Sequence, residues 1–158
     1  MTTIQATGTA TQLRFALVVS KYNDFITDRL QAGAMAALSA AGVPSSEITV
    51  IRVPGAFEIP IAAQHAAETG RFGAIVCLGC VVRGETPHFD YICSAVAHGL
   101  TTGAAVTGVP MTFGVLTTNS IEEALARAGD GPSNKGYEAA VAAIEVAEVV
   151  AQLMRPKE

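Results

Sequence analysis

Residues 74–82, AIVCLGCVV, decide the fold class of this chain. The segment is apolar throughout and rich in β-branched side chains, which predicts a strand buried on both faces of a sheet. A C-x-x-C pattern, Cys77 to Cys80, lies inside it. Side chains three positions apart on a strand point to opposite faces. We therefore interpret these two cysteines, and Cys93 further on, as core residues, because a redox pair needs both sulfurs on one side.

Strands and helices alternate along the chain on both sides of this segment. Further apolar strands are predicted at residues 14–20, 47–53 and 111–118. Helices are predicted between these strands, at residues 24–41, 57–69 and 87–105, and from Lys135 onward. Pro60 is tolerated because it falls in a first turn. A capping-box pattern, Ser120 and Glu123, predicts a further short helix that ends at Gly129. Such alternation is typical of a doubly wound α/β domain, whose parallel sheet is covered by helices on both faces.

The composition of the chain argues against a nucleic-acid-binding, membrane or secreted protein. The chain has 158 residues, enough for one domain with a sizeable core. Its net charge is −4 and it has no basic run, which argues against a nucleic-acid partner. No apolar stretch reaches the length of a membrane span, no signal peptide is recognisable, and three cysteines form no secreted disulfide framework. We expect a cytoplasmic protein without a membrane partner.

Half of the residues are hydrophobic and only 15% are charged, so part of the surface is expected to be buried against other chains. Residues 1–13 are rich in Thr, Ala and Gln, which predicts a flexible or extended N-terminal arm. Residues 14–155 are expected to form a single domain.

Polar and aromatic residues follow three of the predicted strands. Ligands of open α/β sheets bind outside the carboxyl ends of the strands. The segments that reach this edge are 21–24 (KYND), 54–58 (PGAFE) and 83–88 (RGETPH). Asn23 and Asp24 are explained as helix caps, but a large aromatic such as Phe57 at a helix start needs something to pack on.

The third of these segments forms a polar corner. Thr86 is predicted as the N-cap of the following helix with Pro87 at its first position, and Gly84 permits a tight turn. The free N–H groups of that helix start would bind an anion, best a phosphate. His88 lies in the same first turn, where the helix dipole favours a neutral imidazole able to exchange protons. A helix-start residue bonded to a loop carbonyl is the alternative for His88.

The start of the last helix is locally unfavourable. Lys135 places a cation at a helix N-terminus and Gly136 is a poor helix former, so we infer a functional use. Arg127 is explained locally by the negative end of the preceding helix. The chain has no P-loop, no G-x-G-x-x-G after a strand, no H-E-x-x-H and no G-x-S-x-G. The segment after the first strand is also not the phosphate loop of an FMN-binding flavodoxin.

Five segments together resemble the lumazine synthase family, from about residue 13 to 153. They are YNDFITDRL, VPGAFEIP, VVRGETPHFDY, FGVLTTN and NKGYEAA. The resemblance implies condensation of 5-amino-6-(D-ribitylamino)uracil with 3,4-dihydroxy-2-butanone 4-phosphate to 6,7-dimethyl-8-ribityllumazine, without cofactor or metal. A ribityllumazine- or flavin-binding shell protein with weak catalysis is the alternative, although such a binder would not need the proton shuttle His88.

The resemblance also implies the roles of individual residues. His88 matches the general acid/base. The residues implied to bind the pyrimidine and its ribityl chain are Tyr22, Asn23, Ala56, Phe57, Glu58, Cys80, Val81, Val82 and Phe113. Those implied to bind the butanone phosphate are Glu85, Thr86, Arg127 and Lys135. Phe113 and Arg127 are implied to enter the site from a neighbouring subunit.

The family forms pentamers, some of which build hollow icosahedral shells. The resemblance therefore implies a homo-oligomer that binds two small-molecule substrates at subunit interfaces. Free pentamers, paired pentamers and a shell all remain open. For the subunit we expect a three-layer αβα sandwich with a four-stranded parallel sheet in the flavodoxin-like order 2-1-3-4.

Overall fold

A four-stranded parallel sheet forms the centre of the computed structural model, which describes residues 1–155. The strands are ordered β2-β1-β3-β4, which confirms the predicted topology. Their bounds are β1 Phe15–Ser20, β2 Ile48–Val53, β3 Ala74–Val82 and β4 Met111–Thr118. β3, with neighbours on both sides, has the bounds that its apolar sequence predicted.

Helices cover both faces of the sheet, as predicted. Their bounds are α1 Asp24–Ala40, α2 Ile59–Glu68, α3 His88–Thr107, α4 Ile121–Ala126 and α5 Lys135–Met154. Buried residues of α1, α4 and α5 share one core cluster, and those of α2 and α3 share the other. None of these helices is both long and apolar enough to cross a membrane.

The two cysteines of β3 belong to different cores. Cys77 packs with α2 and α3, whereas Cys80 packs with α1, α4 and α5. Burial raises the pKa of both thiols, that of Cys80 to about 11. Their interpretation as core residues is confirmed. The prediction was wrong for Cys93, which is only half-buried, because it lies near the start of α3 at the carboxyl edge of the sheet.

α1 and α5 pack closely through two glycines, a contact that we call the α1–α5 seam. A methyl group at Gly136 would overlap the main-chain carbonyl of Leu30, and one at Gly33 would overlap the side-chain oxygen of Asn134. Gly136 is therefore explained by packing, and its place at the helix start carries no functional argument of its own.

Asn134 joins three segments at this seam. Its buried side chain accepts hydrogen bonds from the N–H groups of Gly136 and Tyr137, at 2.8 and 3.1 Å, and so caps α5. Its Nδ2 donates to the carbonyls of Arg29 and Gly129, at 3.1 and 2.8 Å. One side chain thus fixes α1, the loop after α4 and the start of α5.

Replacement of Asn134 by alanine is expected to lower the free energy of unfolding by about 2–3 kcal/mol, since it removes a cap and leaves two acceptors unpaired. Urea denaturation measures the change. Ser120→Ala is the matched control, because Ser120 caps α4 with a single bond to Glu123, worth about 1 kcal/mol. Equal losses in the two variants would contradict this account of Asn134.

The described segment ahead of β1 has no regular secondary structure and lies against the end of α5. The amides of Thr7 and Gly8 both donate to the Glu148 carboxylate at 2.9 Å, and Gln152 donates to the Gln5 carbonyl. Desolvation raises the pKa of Glu148, but its hydrogen bonds from Thr7 and Gly8 outweigh this effect and lower the pKa. Glu148 and Gln152 are half-buried where this segment contacts them.

Candidate active site

The carboxyl ends of β1, β2 and β3 surround one cavity of about 760 Å³. Its size is typical of a small-molecule site. It brings together most of the residues that the sequence analysis selected, namely Tyr22, Asn23, Ala56, Phe57, Glu58, Cys80, Val81, Val82, Thr86 and His88.

A left-handed residue turns the chain from β1 into α1. Asn23 has φ 59° and ψ 45°, a conformation in which asparagine is enriched. Its side chain does not cap α1, contrary to expectation, but donates to the main-chain carbonyl of Cys80 at 3.1 Å. The N–H of Tyr22 donates to the Pro54 carbonyl at 3.0 Å. These bonds hold the ends of the three strands together.

The segment after β2 forms a 3₁₀ turn, Ala56–Glu58, where the sequence predicted the first turn of a helix. α2 begins only at Ile59, with Pro60 in its first turn as predicted. The ring of Phe57 is 59% exposed and that of Tyr22 is 73% exposed, so both offer an uncovered aromatic face. A flat ring system would bury these faces by stacking.

α3 begins one residue later than predicted. The Pro87 carbonyl accepts the first hydrogen bond of the helix, from the N–H of Asp90 at 3.0 Å. Pro87 is therefore the N-cap, and Thr86 does not cap the helix. The reason is the backbone of Pro87, whose ψ of 3° departs from the helical value. Among the described residues, no acceptor binds the N–H groups of His88 and Phe89. These N–H groups are therefore free to bind an anion, but they lie one residue further along the chain than predicted.

Arg83 connects the end of β4 to the start of α3. Its N–H donates to the Thr118 carbonyl at 2.8 Å, and its Nε donates to Oδ1 of Asn119 at 3.0 Å. Its Nη1 lies 3.4 Å from Oδ1 of Asp90, and its guanidinium carbon lies 4.4 Å from the ring centroid of Phe89. Local sequence reasoning missed this role, because all four contacts depend on how β4 and α3 meet.

Three predicted residues lie elsewhere. Phe113, Arg127 and Lys135 line a second cavity of about 390 Å³ along β4 and α5. The Lys135 amide donates to the Arg127 carbonyl at 2.9 Å, and its ammonium group donates to Glu138 at 2.8 Å. Nη1 of Arg127 donates to the carbonyl of Glu123, at the negative end of α4. This contact agrees with the explanation of Arg127 as a cation placed against that helix end.

Glu85 is exposed and lines neither cavity. Five further residues line the first cavity, namely Gly55, Gly84, Phe89, Ile92 and Ile121. Gly55 and Gly84 belong to segments that the sequence had placed at this edge, whereas the other three were not predicted. Ile121 could have been found, because it follows β4 and the rule about carboxyl strand ends applies to that strand too. Phe89 and Ile92 lie on the helix that His88 begins.

The titratable groups of the first cavity limit its chemistry. The pKa of Cys80, raised to about 11 by burial, keeps its thiol protonated near neutral pH, so it is a poor nucleophile. Among residues 1–155, no cluster of three or more metal-ligating side chains is present. The other titratable side chains that line the cavity are those of Tyr22, Glu58 and His88. The cavity can bind a flat ring between apolar walls, hold an anion at the start of α3 and exchange protons.

Comparison with known proteins identifies one family that this chain resembles over most of its length. A family model described as 6,7-dimethyl-8-ribityllumazine synthase matches residues 12–151. A curated 6,7-dimethyl-8-ribityllumazine synthase from Desulfatibacillum aliphaticivorans is 45% identical over 149 residues, which cover 94% of this chain and 96% of the relative.

Proposed function

Because the chain belongs to the 6,7-dimethyl-8-ribityllumazine synthase family, we propose that it is the transferase of riboflavin biosynthesis that makes this lumazine. Its substrates are 5-amino-6-(D-ribitylamino)uracil and 3,4-dihydroxy-2-butanone 4-phosphate, and it releases phosphate and water. The structural observation that carries the proposal is the first cavity, in which three separate strand ends place aromatic faces, a carboxylate and His88 around one space.

The pyrimidine substrate suits the side of the cavity formed by β1 and β2. Tyr22 and Phe57 offer aromatic faces to the flat ring, and Asn23 holds the loop that carries Tyr22. The Glu58 carboxylate, next to Ala56 in the 3₁₀ turn, accepts a hydrogen bond from a ribityl hydroxyl. The remaining wall on this side is supplied by Cys80, Val81 and Val82.

The butanone phosphate suits the start of α3. The free N–H groups there and the Thr86 hydroxyl would hold its phosphate. Since a carboxylate repels phosphate, Glu85 can contribute only its main-chain N–H. The cations of Arg127 and Lys135 complete the phosphate site from a neighbouring subunit, because within one chain they line a different cavity.

The reaction needs two substrates held together and protons moved between them. The pyrimidine amine attacks the ketone carbonyl, and loss of water gives a Schiff base. Phosphate is then eliminated, and the ribitylamino nitrogen attacks the remaining carbonyl carbon, so that the second ring closes with loss of a second water. His88 takes and returns protons during these steps. Binding both substrates in one cavity removes the entropic cost of their encounter.

The proposed assembly is a cytoplasmic pentamer or a multiple of it, built from residues 14–155 as one domain with residues 1–13 as an arm. A cyclic ring has head-to-tail interfaces, so that each site takes one half from each of two neighbours. Phe113 is 47% exposed in the subunit, which leaves its ring available to such a neighbour.

Incubation of the purified protein with both substrates tests the function directly. The absorbance of the lumazine should appear with time, in proportion to enzyme, and each substrate alone should give no signal. A flat trace would contradict the proposal. A protein that bound the added lumazine but did not form it would instead be the weakly catalytic binder.

Arg127→Ala is expected to raise the KM for the butanone phosphate about ten- to a hundredfold, because it removes a charge-assisted bond to phosphate. High inorganic phosphate should compete with the same substrate. Steady-state kinetics with each substrate varied in turn measures both effects. Arg127→Lys is the matched variant, which keeps the charge but loses the planar fork. A rise in KM for the pyrimidine alone would mean that the two subsites are assigned the wrong way round.

A further inference from the structure

We infer that Arg83 is a positioning residue, which holds the first turn of α3 so that the His88 imidazole stays in place for the proposed reaction. The inference rests on the proposed function for its kinetic consequences, but its structural basis is independent. Arg83 lies in one of the segments that resemble the family, but the resemblance assigns it no role, and it lines neither cavity.

The contacts of Arg83 fix its guanidinium from several directions. One edge binds Asn119, beyond the end of β4, and another part of the group binds Asp90 in the first turn of α3. Its face lies over the ring of Phe89, a cation–π contact. Phe89 directly follows His88, is 9% exposed and lines the first cavity. Arg83 therefore contacts Phe89 and Asp90, the two residues that directly follow His88 in the first turn of α3.

The start of this first turn has no side-chain cap, although Phe89 within the turn is buried. Its N-cap is a proline without a side-chain hydrogen bond, and Thr86 does not cap it. Arg83 bridges it to Asn119, just beyond the end of β4. Without that bridge, we expect the turn to fray and the imidazole to sample positions away from the substrates. A misplacement of about 1 Å is enough to cost about a hundredfold in rate.

A role in global stability would look different. The side chains of Arg83 and Asp90 are 45% and 61% exposed, and ion pairs so exposed contribute little to the stability of a fold. Loss of Arg83 should therefore change catalysis far more than thermal unfolding. That separation distinguishes a positioning residue from a merely structural one.

Arg71 provides a matched control. Its guanidinium carbon lies 5.2 Å from the ring centroid of Phe72, ahead of β3 at the opposite end of the sheet. Arg83→Ala should lower kcat about ten- to a hundredfold with KM changed less than about threefold, whereas Arg71→Ala should match the unsubstituted protein. Arg83→Lys keeps a cation but lacks the planar group that contacts both Asn119 and Asp90, so its kcat should lie between those of the two alanine variants. If Arg83→Ala does not fold, Arg83→Lys is compared with Arg71→Ala instead.

A double-mutant cycle with His88→Ala asks whether Arg83 acts through His88. In the His88→Ala background, loss of Arg83 should lower kcat less than about twofold, because the group that it positions is already gone. If loss of Arg83 lowered kcat by the full amount in that background as well, the inference would be overturned. So would equal kcat in Arg83→Ala and Arg71→Ala.

Chemical labelling gives a readout that needs no turnover. Diethyl pyrocarbonate acylates exposed imidazoles, and peptide mass spectrometry reports the rate at His88 relative to the exposed His65. This ratio should change about threefold or more in Arg83→Ala and stay constant in Arg71→Ala. An unchanged ratio would overturn the inference even if the unsubstituted protein made no lumazine, a result that would count separately against the proposed function.

Discussion

His88→Ala is expected to lower the turnover number roughly ten- to a thousandfold while the protein stays folded. The imidazole is the group of the first cavity best suited to move protons near neutral pH, so its loss slows each proton-dependent step. Turnover should not vanish, because the cavity still holds the two substrates together, and that part of the acceleration survives. Single-turnover measurements of lumazine formation give the rate.

His98→Ala is the matched control for this result, since His98 lies exposed on the same helix, away from the cavity. It should leave turnover unchanged. Thermal unfolding of both variants checks that neither has lost the fold. Equal turnover of His88→Ala and the unsubstituted protein would remove the histidine from the mechanism.

Mixing two impaired variants should restore activity above that of either one alone. One is His88→Ala, and the other carries Phe113→Ala together with Arg127→Ala. In one chain these groups line different cavities, so we propose that a working site combines the first cavity of one subunit with the second of its neighbour. Refolded together in equal amounts, the variants should form hybrid rings in which some interfaces pair two intact halves.

The expected yield follows from counting. An intact site needs its histidine half from the second variant and its arginine half from the first, so random mixing should restore roughly a quarter of the sites. Each variant refolded alone should recover none. Native mass spectrometry establishes that hybrid rings have formed. Hybrid rings that are no more active than their parents would place the whole site within one subunit and exclude this role for Phe113 and Arg127.

Features set by local patterns could be predicted from the sequence. Three examples are the bounds of β3, the opposite orientation of Cys77 and Cys80, and the cap at Ser120. Each of them depends on neighbouring residues and on strand or helix geometry. The clustering of residues from three loops also followed, because parallel strands bring their carboxyl ends to one edge. The start of α3 was misplaced by one residue, since the backbone of Pro87 decides it.

Features that depend on distant partners could not be predicted. Asn134 binds α1, more than a hundred residues away. Glu148 binds Thr7, which lies 141 residues earlier in the chain. Arg83 likewise has partners on β4 and α3. Hydrogen bonds across such separations leave no periodic trace in the sequence.

The α1–α5 seam also restricts how this sequence can change over generations. Glycine within a helix costs about 1 kcal/mol relative to alanine, so a drift toward greater heat resistance would ordinarily replace it. At Gly33 and Gly136 that route is closed, because the added methyl would overlap atoms of the opposing segment, in one case a carbonyl that no substitution can remove. Gly129, which has open space around its Cα, is not constrained in this way. Descendants of this chain can therefore gain stability at their loops and surfaces, while the interior contact between these two helices is inherited unaltered.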